Sequence, residues 1–183
     1  MFAVTPRLLL RPGWPEDAGA LFAAINDEAI VRNLARPPWP YRPDDARQFL
    51  SLPTDPAFPS WLIFSRTEGA PQLAGCIGID SQDNGEVELG YWISRSHWGR
   101  GYATEAGRAV LQNARALGHK RLIASHFIDN PASGSVLRKL GFQPTGQTDT
   151  IFCRGRNRDV QAVAFSCVLE DEQECDVMRP LAA

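Results

Sequence analysis

The stretch that decides the fold runs from residue 98 to residue 106 and reads Trp98-Gly99-Arg100-Gly101-Tyr102-Ala103-Thr104-Glu105-Ala106. Its small residues interrupt a strand-like pattern and lead directly into a helix-like one. The first N–H groups of a helix lack partners within the helix and carry the positive end of its dipole, so an anion can bind there. Gly99 and Gly101 would let a phosphate approach closely, and Arg100 adds a positive charge. An ordinary strand-to-helix connection, in which the glycines only satisfy backbone geometry, would have the same sequence. The flanking sequence is therefore needed to distinguish an anion-binding turn from such a connection.

The segment before this turn alternates cleanly, which predicts a strand over residues 86–93. One face carries Val87, Leu89, Tyr91 and Ile93, and the other carries Glu86, Glu88, Gly90 and Trp92. Two earlier apolar runs, 61–65 and 72–80, predict an antiparallel meander with it. After the turn, the pattern predicts a helix from Thr104 to about Leu117 and a strand over 122–127. A strand, a crossover helix and a second strand form a βαβ unit, with the turn at the carboxyl end of the first strand.

The rest of the chain predicts further elements around this unit. Asn130-Pro131 is typical of a helix start, and Gly141 followed by Phe142 predicts a Schellman ending in which Phe142 folds back on Leu137. Other expected elements are a strand over 7–11, a helix after Pro15, helices over about 30–34 and 44–50, and a final hairpin formed by 150–154 and 159–169.

Composition narrows the class of protein. The 183 residues predict one domain over 1–169 and an acidic tail over 170–183. A net charge of −2 argues against nucleic acid as a partner, although Arg154, Arg156 and Arg158 form a local basic cluster. No apolar run is long enough for a membrane helix, and the sequence predicts a cytoplasmic protein. The cysteines and histidines lack metal-ligand spacing, which predicts free thiols and no metal site.

This order of elements, with Leu89-Gly90-Tyr91-Trp92-Ile93, the 98–106 turn, Asn130-Pro131-Ala132-Ser133 and Leu140-Gly141-Phe142, resembles the GNAT superfamily of N-acetyltransferases, and more narrowly its RimJ/RimL-like branch. The resemblance spans about residues 7–169. It implies an α/β (α+β) fold: a mixed, mostly antiparallel sheet of about six or seven strands flanked by helices, with a central splay that admits acetyl-CoA.

The resemblance also implies which residues bind acetyl-CoA. The superfamily turn has Gln or Arg where this chain has Trp98, so the backbone cradle is retained and one polar side chain is lost. The pantetheine arm would lie beside the end of the 86–93 strand. The implied cofactor residues are Trp92, Ile93, Ser94, Trp98, Gly99, Arg100, Gly101, Tyr102, Ala103, Thr104 and Asn130.

Transfer of an acetyl group to an amine needs a proton acceptor for the amine and a donor for the departing thiolate. Glu88 is the candidate base, with Glu86 in reserve; alternatively, Glu88 only positions the cationic amine or is an exposed strand carboxylate. The family's usual tyrosine acid has no counterpart, because no tyrosine follows Tyr102. Ser133 matches the serine of RimL-like members, but a hydroxyl in a first helical turn is otherwise a cap, and transfer without an acid is also reasonable.

The acceptor is a protein N-terminal amine or a small-molecule amine, and the sequence does not choose between them. Trp39 and Tyr41, in a proline-rich loop, are candidates for a substrate wall, or they pack the loop onto the core. Glu86 is a further candidate substrate contact. A catalytically silent acyl-CoA-binding module is the alternative function, and the protein is expected to be a monomer or a homodimer. A Rossmann-type nucleotide domain does not fit, since its glycine turn follows the first strand.

Overall fold

A computed structural model describes residues 1–67 and 69–169, so the predicted tail at 170–183 lies outside the described residues. The strands are β1 (Ala3–Val4), β2 (Leu8–Arg11), β3 (Ser60–Ser65), β4 (Gln72–Ser81), β5 (Val87–Ile93), β6 (Arg121–Phe127), β7 (Gln143–Cys153) and β8 (Arg158–Val168). The helices are α1 (Ala18–Ile25), α2 (Glu28–Val31), α3 (Pro43–Leu50), α4 (Tyr102–Ala116) and α5 (Pro131–Lys139), and short 3-10 turns cover Pro15–Asp17 and Arg95–His97.

The strands form one sheet in the order β1-β2-β3-β4-β5-β6-β8-β7. Every neighbouring pair is antiparallel except β5 and β6, which run parallel and are joined by α4. The expected meander and βαβ unit are therefore confirmed. The parallel pair places the 98–101 turn at the carboxyl end of β5.

Helices cover both faces of the sheet. On the first face, α4 and α5 pack on a core cluster that includes Leu89, Val110, Leu137 and Phe142. On the second face, α1, α2 and α3 pack on a smaller cluster that includes Leu21, Ile30 and Leu62. Strand β5 contributes to both clusters, since Tyr91 packs against the first and Trp92 against the second, as its alternation predicts.

The predicted Schellman ending of α5 is confirmed. Gly141 has a φ of 91°, and the Phe142 N–H donates to the Leu137 carbonyl at 3.1 Å, while the Phe142 side chain is fully buried. This ending turns the chain sharply into β7.

Three details differ from the sequence prediction. Over residues 1–67 and 69–169 the sheet has eight strands rather than six or seven, because two residues before β2 also pair with it. Strand β7 begins at Gln143 rather than at 150, because pairing with β8 holds an exposed polar segment that has no apolar pattern of its own. The predicted helix over 30–34 is the single turn α2, which starts two residues earlier, where Asp27 accepts a hydrogen bond from the Ala29 N–H.

The thiols of Cys76, Cys153 and Cys167 are free and buried, as expected, and Cys175 lies outside the described residues. Within the described part of the chain, no helix has the length and apolar character needed to span a membrane.

Candidate active site

Strands β5 and β6 separate soon after they meet. Their single registered pair is Glu88 with Ile123, although β5 continues to Ile93 and β6 to Phe127. Two side-chain hydrogen bonds connect the two sides of this splay. The Ser125 hydroxyl donates to Glu88 Oε1 at 3.2 Å, and the Tyr91 hydroxyl lies 2.8 Å from the Ser133 hydroxyl at the start of α5. Because Glu88 and Tyr91 point to opposite faces of β5, the two hydrogen bonds lie on opposite faces of the sheet.

Glu88 is the carboxylate at the closed end of the splay. Burial raises its pKa above the ordinary 4.5, and the Asp80 carboxylate adds to the rise, while the Ser125 hydrogen bond and the Arg36 charge oppose it. Asp80 is the cross-strand partner of Glu88 on β4 and is itself paired with Arg36 at 2.6 Å. A buried carboxylate with a raised pKa can take up a proton near neutral pH more readily than an exposed one.

Tyr91, which the sequence analysis placed only on one face of the 86–93 strand, also reaches across the splay. Its hydroxyl lies 3.1 Å from the Ser133 carbonyl, to which it can donate, and 2.8 Å from the Ser133 hydroxyl. Burial raises the pKa of Tyr91 to about 12, so the phenol keeps its proton. Ser133 therefore does not use its hydroxyl as a helix cap; the hydroxyl is tied across the splay to β5.

The 98–104 turn has the form expected for an anion site. Gly99 and Gly101 have φ values of 74° and 77°, which favour glycine, and α4 starts directly after Gly101. The Glu105 N–H makes the first bond of the helix, to the Gly101 carbonyl at 3.1 Å. The backbone N–H groups of residues 102–104 consequently come before the first helical hydrogen bond and have no carbonyl within the helix to donate to. The exposed turn in front of them has no Cβ at Gly99 or Gly101. These features fit a diphosphate.

Arg7 holds the turn from behind. Its guanidinium donates to the Arg100 carbonyl at 2.9 Å and to Glu105 Oε2 at 2.6 Å, and it lies 5.0 Å from the centroid of the Tyr102 ring. The Glu105 carboxylate also accepts from the Thr5 hydroxyl and the Arg7 N–H, contacts that keep its pKa low against the effect of burial. Sequence reasoning missed Arg7 and Glu105, since they are 98 residues apart along the chain.

Several residues predicted to bind the cofactor have side chains that make hydrogen bonds within the protein. The Tyr102 ring is buried and its hydroxyl is hydrogen-bonded to Ser65 and Thr67, so only its backbone N–H faces the turn. The Trp98 indole N–H donates to the Ile93 carbonyl at 2.7 Å. Ser94 is buried, with its N–H bound to the Ala74 carbonyl and its hydroxyl to His97. These polar groups of Ser94 fix the end of β5, and its contact with the cofactor stays a prediction.

Asn130 occupies the N-cap position of α5, as predicted, but its side chain makes no capping hydrogen bond. The backbone closes the turn instead, since the Ser133 N–H donates to the Asn130 carbonyl at 3.2 Å. The side-chain amide is thus not committed to the helix.

The predicted acceptor residues do not come together. Tyr41 is 6% exposed within the second core cluster, so the prediction that it forms a substrate wall is wrong and the alternative, packing of the loop on the core, applies. Trp39 is 36% exposed, two residues before it. Glu86 accepts from the Asn84 amide at 2.9 Å and pairs with Arg121 at 3.4 Å, at the opposite end of β5 from the turn, so each of its oxygens already has a partner.

The hairpin between β7 and β8 is locked to the loop between β6 and α5. The Arg156 guanidinium binds both oxygens of Asp129, at 2.7 and 2.9 Å, and its side chain is only 7% exposed. Arg32 also pairs with Asp129, at 3.4 Å. The arginine cluster seen in the sequence therefore does not form a uniformly basic surface, because its middle member is internally neutralised.

A second concave region lies on the outer side of the turn. This groove of about 930 Å³ is bounded by the N-terminal segment and α4, with Gly101, Thr104, Arg108 and Lys139 in its lining. None of its lining residues belongs to β5. The groove shares the turn with the splay but is separate from Glu88.

In the described residues the sheet is open, its parallel pair β5–β6 splays, and the turn at the start of α4 lies beside this splay. This architecture defines the class of CoA-dependent acyltransferases. The sequence profile of the acetyltransferase (GNAT) domain matches residues 7–143, and the chain belongs to this family. Proteins of the family are N-acetyltransferases of the acyltransferase class and use acetyl-CoA.

Individual relatives agree with this assignment. An uncharacterised N-acetyltransferase of Bacillus subtilis, YoaA, is 32% identical over 152 residues, which cover 78% of this chain and 82% of YoaA. A GNAT-family acetyltransferase structure from Bacillus anthracis superposes with a TM-score of 0.79 at 21% identity, over 93% of this chain and 100% of the other. RimL, a ribosomal L7/L12 alpha-N-protein acetyltransferase solved with coenzyme A, superposes with a TM-score of 0.74 at 20% identity, over 92% and 98% of the two chains. These likenesses are consistent with the RimJ/RimL-like branch.

Proposed function

We propose that this protein is an acetyl-CoA-dependent N-acetyltransferase that transfers the acetyl group directly to a primary amine, either a protein N-terminal α-amine or a small-molecule amine. The observation that carries the proposal is the position of Glu88. This partly buried carboxylate stands where β5 and β6 part, on the strand that leads into the proposed anion-binding turn. One opening thus adjoins both a cofactor turn and a candidate base.

The backbone N–H groups of residues 102–104, with Gly99, Arg100 and Gly101, are the proposed contacts of the cofactor diphosphate. The edge of β5 at Trp92 and Ile93, which has no registered partner on β6, is the proposed contact of the pantetheine arm, together with the Asn130 amide. When bound there, acetyl-CoA supplies an activated acetyl group as a thioester. The protein supplies position, a proton acceptor and a proton donor.

Glu88 is the proposed general base, acting directly or through one water. A free primary amine has a pKa of about 8 at a peptide N-terminus and about 10.4 on a lysine-like chain, so a proton must leave it before attack. The raised pKa of the Glu88 carboxyl reduces the gap between donor and acceptor. Asp80 lies beside it and adds negative potential that favours a cationic amine.

Ser133 is the proposed donor to the departing thiolate, and Tyr91 is the residue that positions it. When the Tyr91 hydroxyl donates its proton to the Ser133 hydroxyl at 2.8 Å rather than to the Ser133 carbonyl, it holds the serine beside the splay and leaves the serine's own proton free for the thiolate. A thiol with a pKa of about 8.5 is a good leaving group, so the contribution of this donor is expected to be smaller than that of the base.

The acceptor class is supported in two ways. RimL, a structural neighbour, is an alpha-N-protein acetyltransferase, which favours a protein N-terminus. The carboxylates of Glu88 and Asp80 favour any cationic amine. Trp39, partly exposed on the loop before α3, is the proposed outer contact of the acceptor.

The test is turnover of acetyl-CoA with a panel of small amines and N-terminal peptides, followed as thiol release with mass detection of the acetylated product. The proposal expects one acetylated amine per thiol released with at least one acceptor, and loss of that activity in Glu88→Gln. Tight CoA binding with no turnover on any acceptor would instead support the alternative, a catalytically silent acyl-CoA-binding module. Sedimentation of the same sample decides between a monomer and a homodimer.

A further inference from the structure

Gly90 is a strand glycine for which the fold gives no structural reason. A Cβ added there meets no atom within 4 Å, and its φ lies outside the left-handed range. The two glycines of β4 differ. A Cβ on Gly75 would lie 2.2 Å from the Trp92 carbonyl oxygen, and one on Gly78 would lie 3.0 Å from the Ser60 Cα, so close backbone contacts require both. Gly in a strand is otherwise unfavourable, because it adds backbone entropy to the unfolded state and packs nothing.

The open space above Gly90 lies at the candidate active site. Alternation places it on the same face of β5 as Glu88 and Trp92, one on each side. Its cross-strand partner on β4 is Gly78, so no side chain fills the space from that strand either. On the other side β6 has already diverged. The space is bounded along the strand by the base and by an indole.

We propose that Gly90 is a specificity-determining residue whose missing side chain makes room for the substituent on the carbon that bears the acceptor amine. This inference rests on the proposed function, since it places the amine at Glu88. Residues two apart on a strand are separated by about 6.6–6.8 Å, so a substituent on the carbon next to an amine held at the Glu88 carboxylate is within reach of the space above Gly90. The enzyme therefore accepts amines of the form CH(R)–NH2, as at most peptide N-termini, as well as unsubstituted CH2–NH2.

The experiment replaces Gly90 with Ala and with Val, and pairs each variant with matched acceptors that differ only at the amine-bearing carbon, such as glycine-led and alanine-led peptides and the corresponding small amines. Gly19→Ala is the control, because Gly19 is exposed on α1, has an ordinary φ and also has nothing within 4 Å of its added Cβ. Four quantities are measured: kcat/KM for each acceptor, amine affinity of the CoA-loaded protein by calorimetry, CoA affinity, and Tm.

The proposal expects Gly90→Ala to lower kcat/KM and amine affinity by about 10–200-fold for substituted amines, the range for one methyl group in a filled pocket. Gly90→Val should have the larger effect, and unsubstituted amines should be much less affected. CoA affinity should be retained, and Tm should stay the same or rise. Gly19→Ala should leave all acceptors unchanged.

Equal losses for substituted and unsubstituted amines, or no loss at all, overturn the proposal. A fall in CoA affinity that parallels the fall in activity also overturns it, since the space would then belong to the cofactor. If the wild-type protein binds amines without acetylating any, the proposed function fails, while selective loss of substituted-amine binding in Gly90→Ala still supports the role of Gly90. No amine binding by the wild type contradicts it.

Discussion

Replacing Glu88 with Gln separates the roles of this carboxylate with one change. The amide keeps the shape of the side chain and can still accept the hydrogen bond from Ser125, which now lies 3.2 Å from Glu88 Oε1. It cannot accept a proton from an amine. General-base catalysis contributes about 10²–10⁴-fold, so kcat should fall by that factor if Glu88 is the base. A rise in KM with kcat retained would instead assign it to positioning the amine.

The pH dependence gives a second measurement. Burial raises the pKa of Glu88, so the carboxylate is lost at higher pH than the ordinary 4.5. The acid limb of the wild-type kcat/KM profile should therefore lie above pH 4.5, and Glu88→Gln should remove it. The control is Asp83→Asn, an exposed carboxylate in the turn between β4 and β5.

Stability should change in the opposite direction from activity. A carboxyl group with a raised folded-state pKa destabilises the fold once it ionises, and this cost is absent at low pH. Glu88→Gln should therefore have a higher Tm than the wild type at pH 7–8, and the difference should shrink as the pH falls toward 4.5. Unchanged kcat/KM, with the same acid limb in the variant, would refute the assignment of Glu88 as base.

Three further substitutions test the surrounding structure. Gly101→Val should weaken CoA binding at least tenfold by calorimetry, because a left-handed φ of 77° costs a branched residue about 1–3 kcal/mol and the added side chain would crowd the diphosphate. The control is Gly118→Val, at a φ of 86° beyond the other end of α4. It introduces the same backbone strain away from the turn and should keep CoA affinity. Tyr91→Phe should lower kcat without a large change in CoA affinity and reduce the free energy of unfolding by about 0.5–1.5 kcal/mol in urea titrations; unaltered kcat would remove the tyrosine from the mechanism. Arg156→Lys should lower the free energy of unfolding, since it loses the two-pronged contact with Asp129 that fixes the hairpin; a free energy equal to that of the wild type in urea titrations would show that this contact does not stabilise the fold.

The parts of the fold that local sequence patterns specify were predicted well. The alternation of residues 86–93 gave the two faces of β5, because a pleated strand turns every second side chain to the same side. Gly141 and Phe142 gave the end of α5, since a left-handed residue and a hydrophobic contact are both local. The polar segment at 143–150 could not be recognised as a strand, because only its pairing with β8 holds it extended.

The sequence indicated the part of the candidate site that is formed by the local turn. It did not indicate the contacts between residues that are distant along the chain. Glu88 and Ser133, both predicted from the sequence, lie at the splay, whereas the alternation of β5 did not indicate that the Tyr91 hydroxyl reaches α5. Arg7 supports the turn from the other end of the sequence. The sequence did not show whether Tyr41 forms a substrate wall or packs on the core, because an aromatic residue beside prolines is equally compatible with a binding loop and a packed loop.

The most direct measurement of the central claim is a crystal structure of the protein with acetyl-CoA or CoA. The account predicts diphosphate oxygens within hydrogen-bond distance of the backbone N–H groups at residues 101–104, and the sulfur atom in the splay between Glu88 and Ser133. A cofactor seated in the groove between the N-terminal segment and α4, or with its sulfur away from β5, would contradict it.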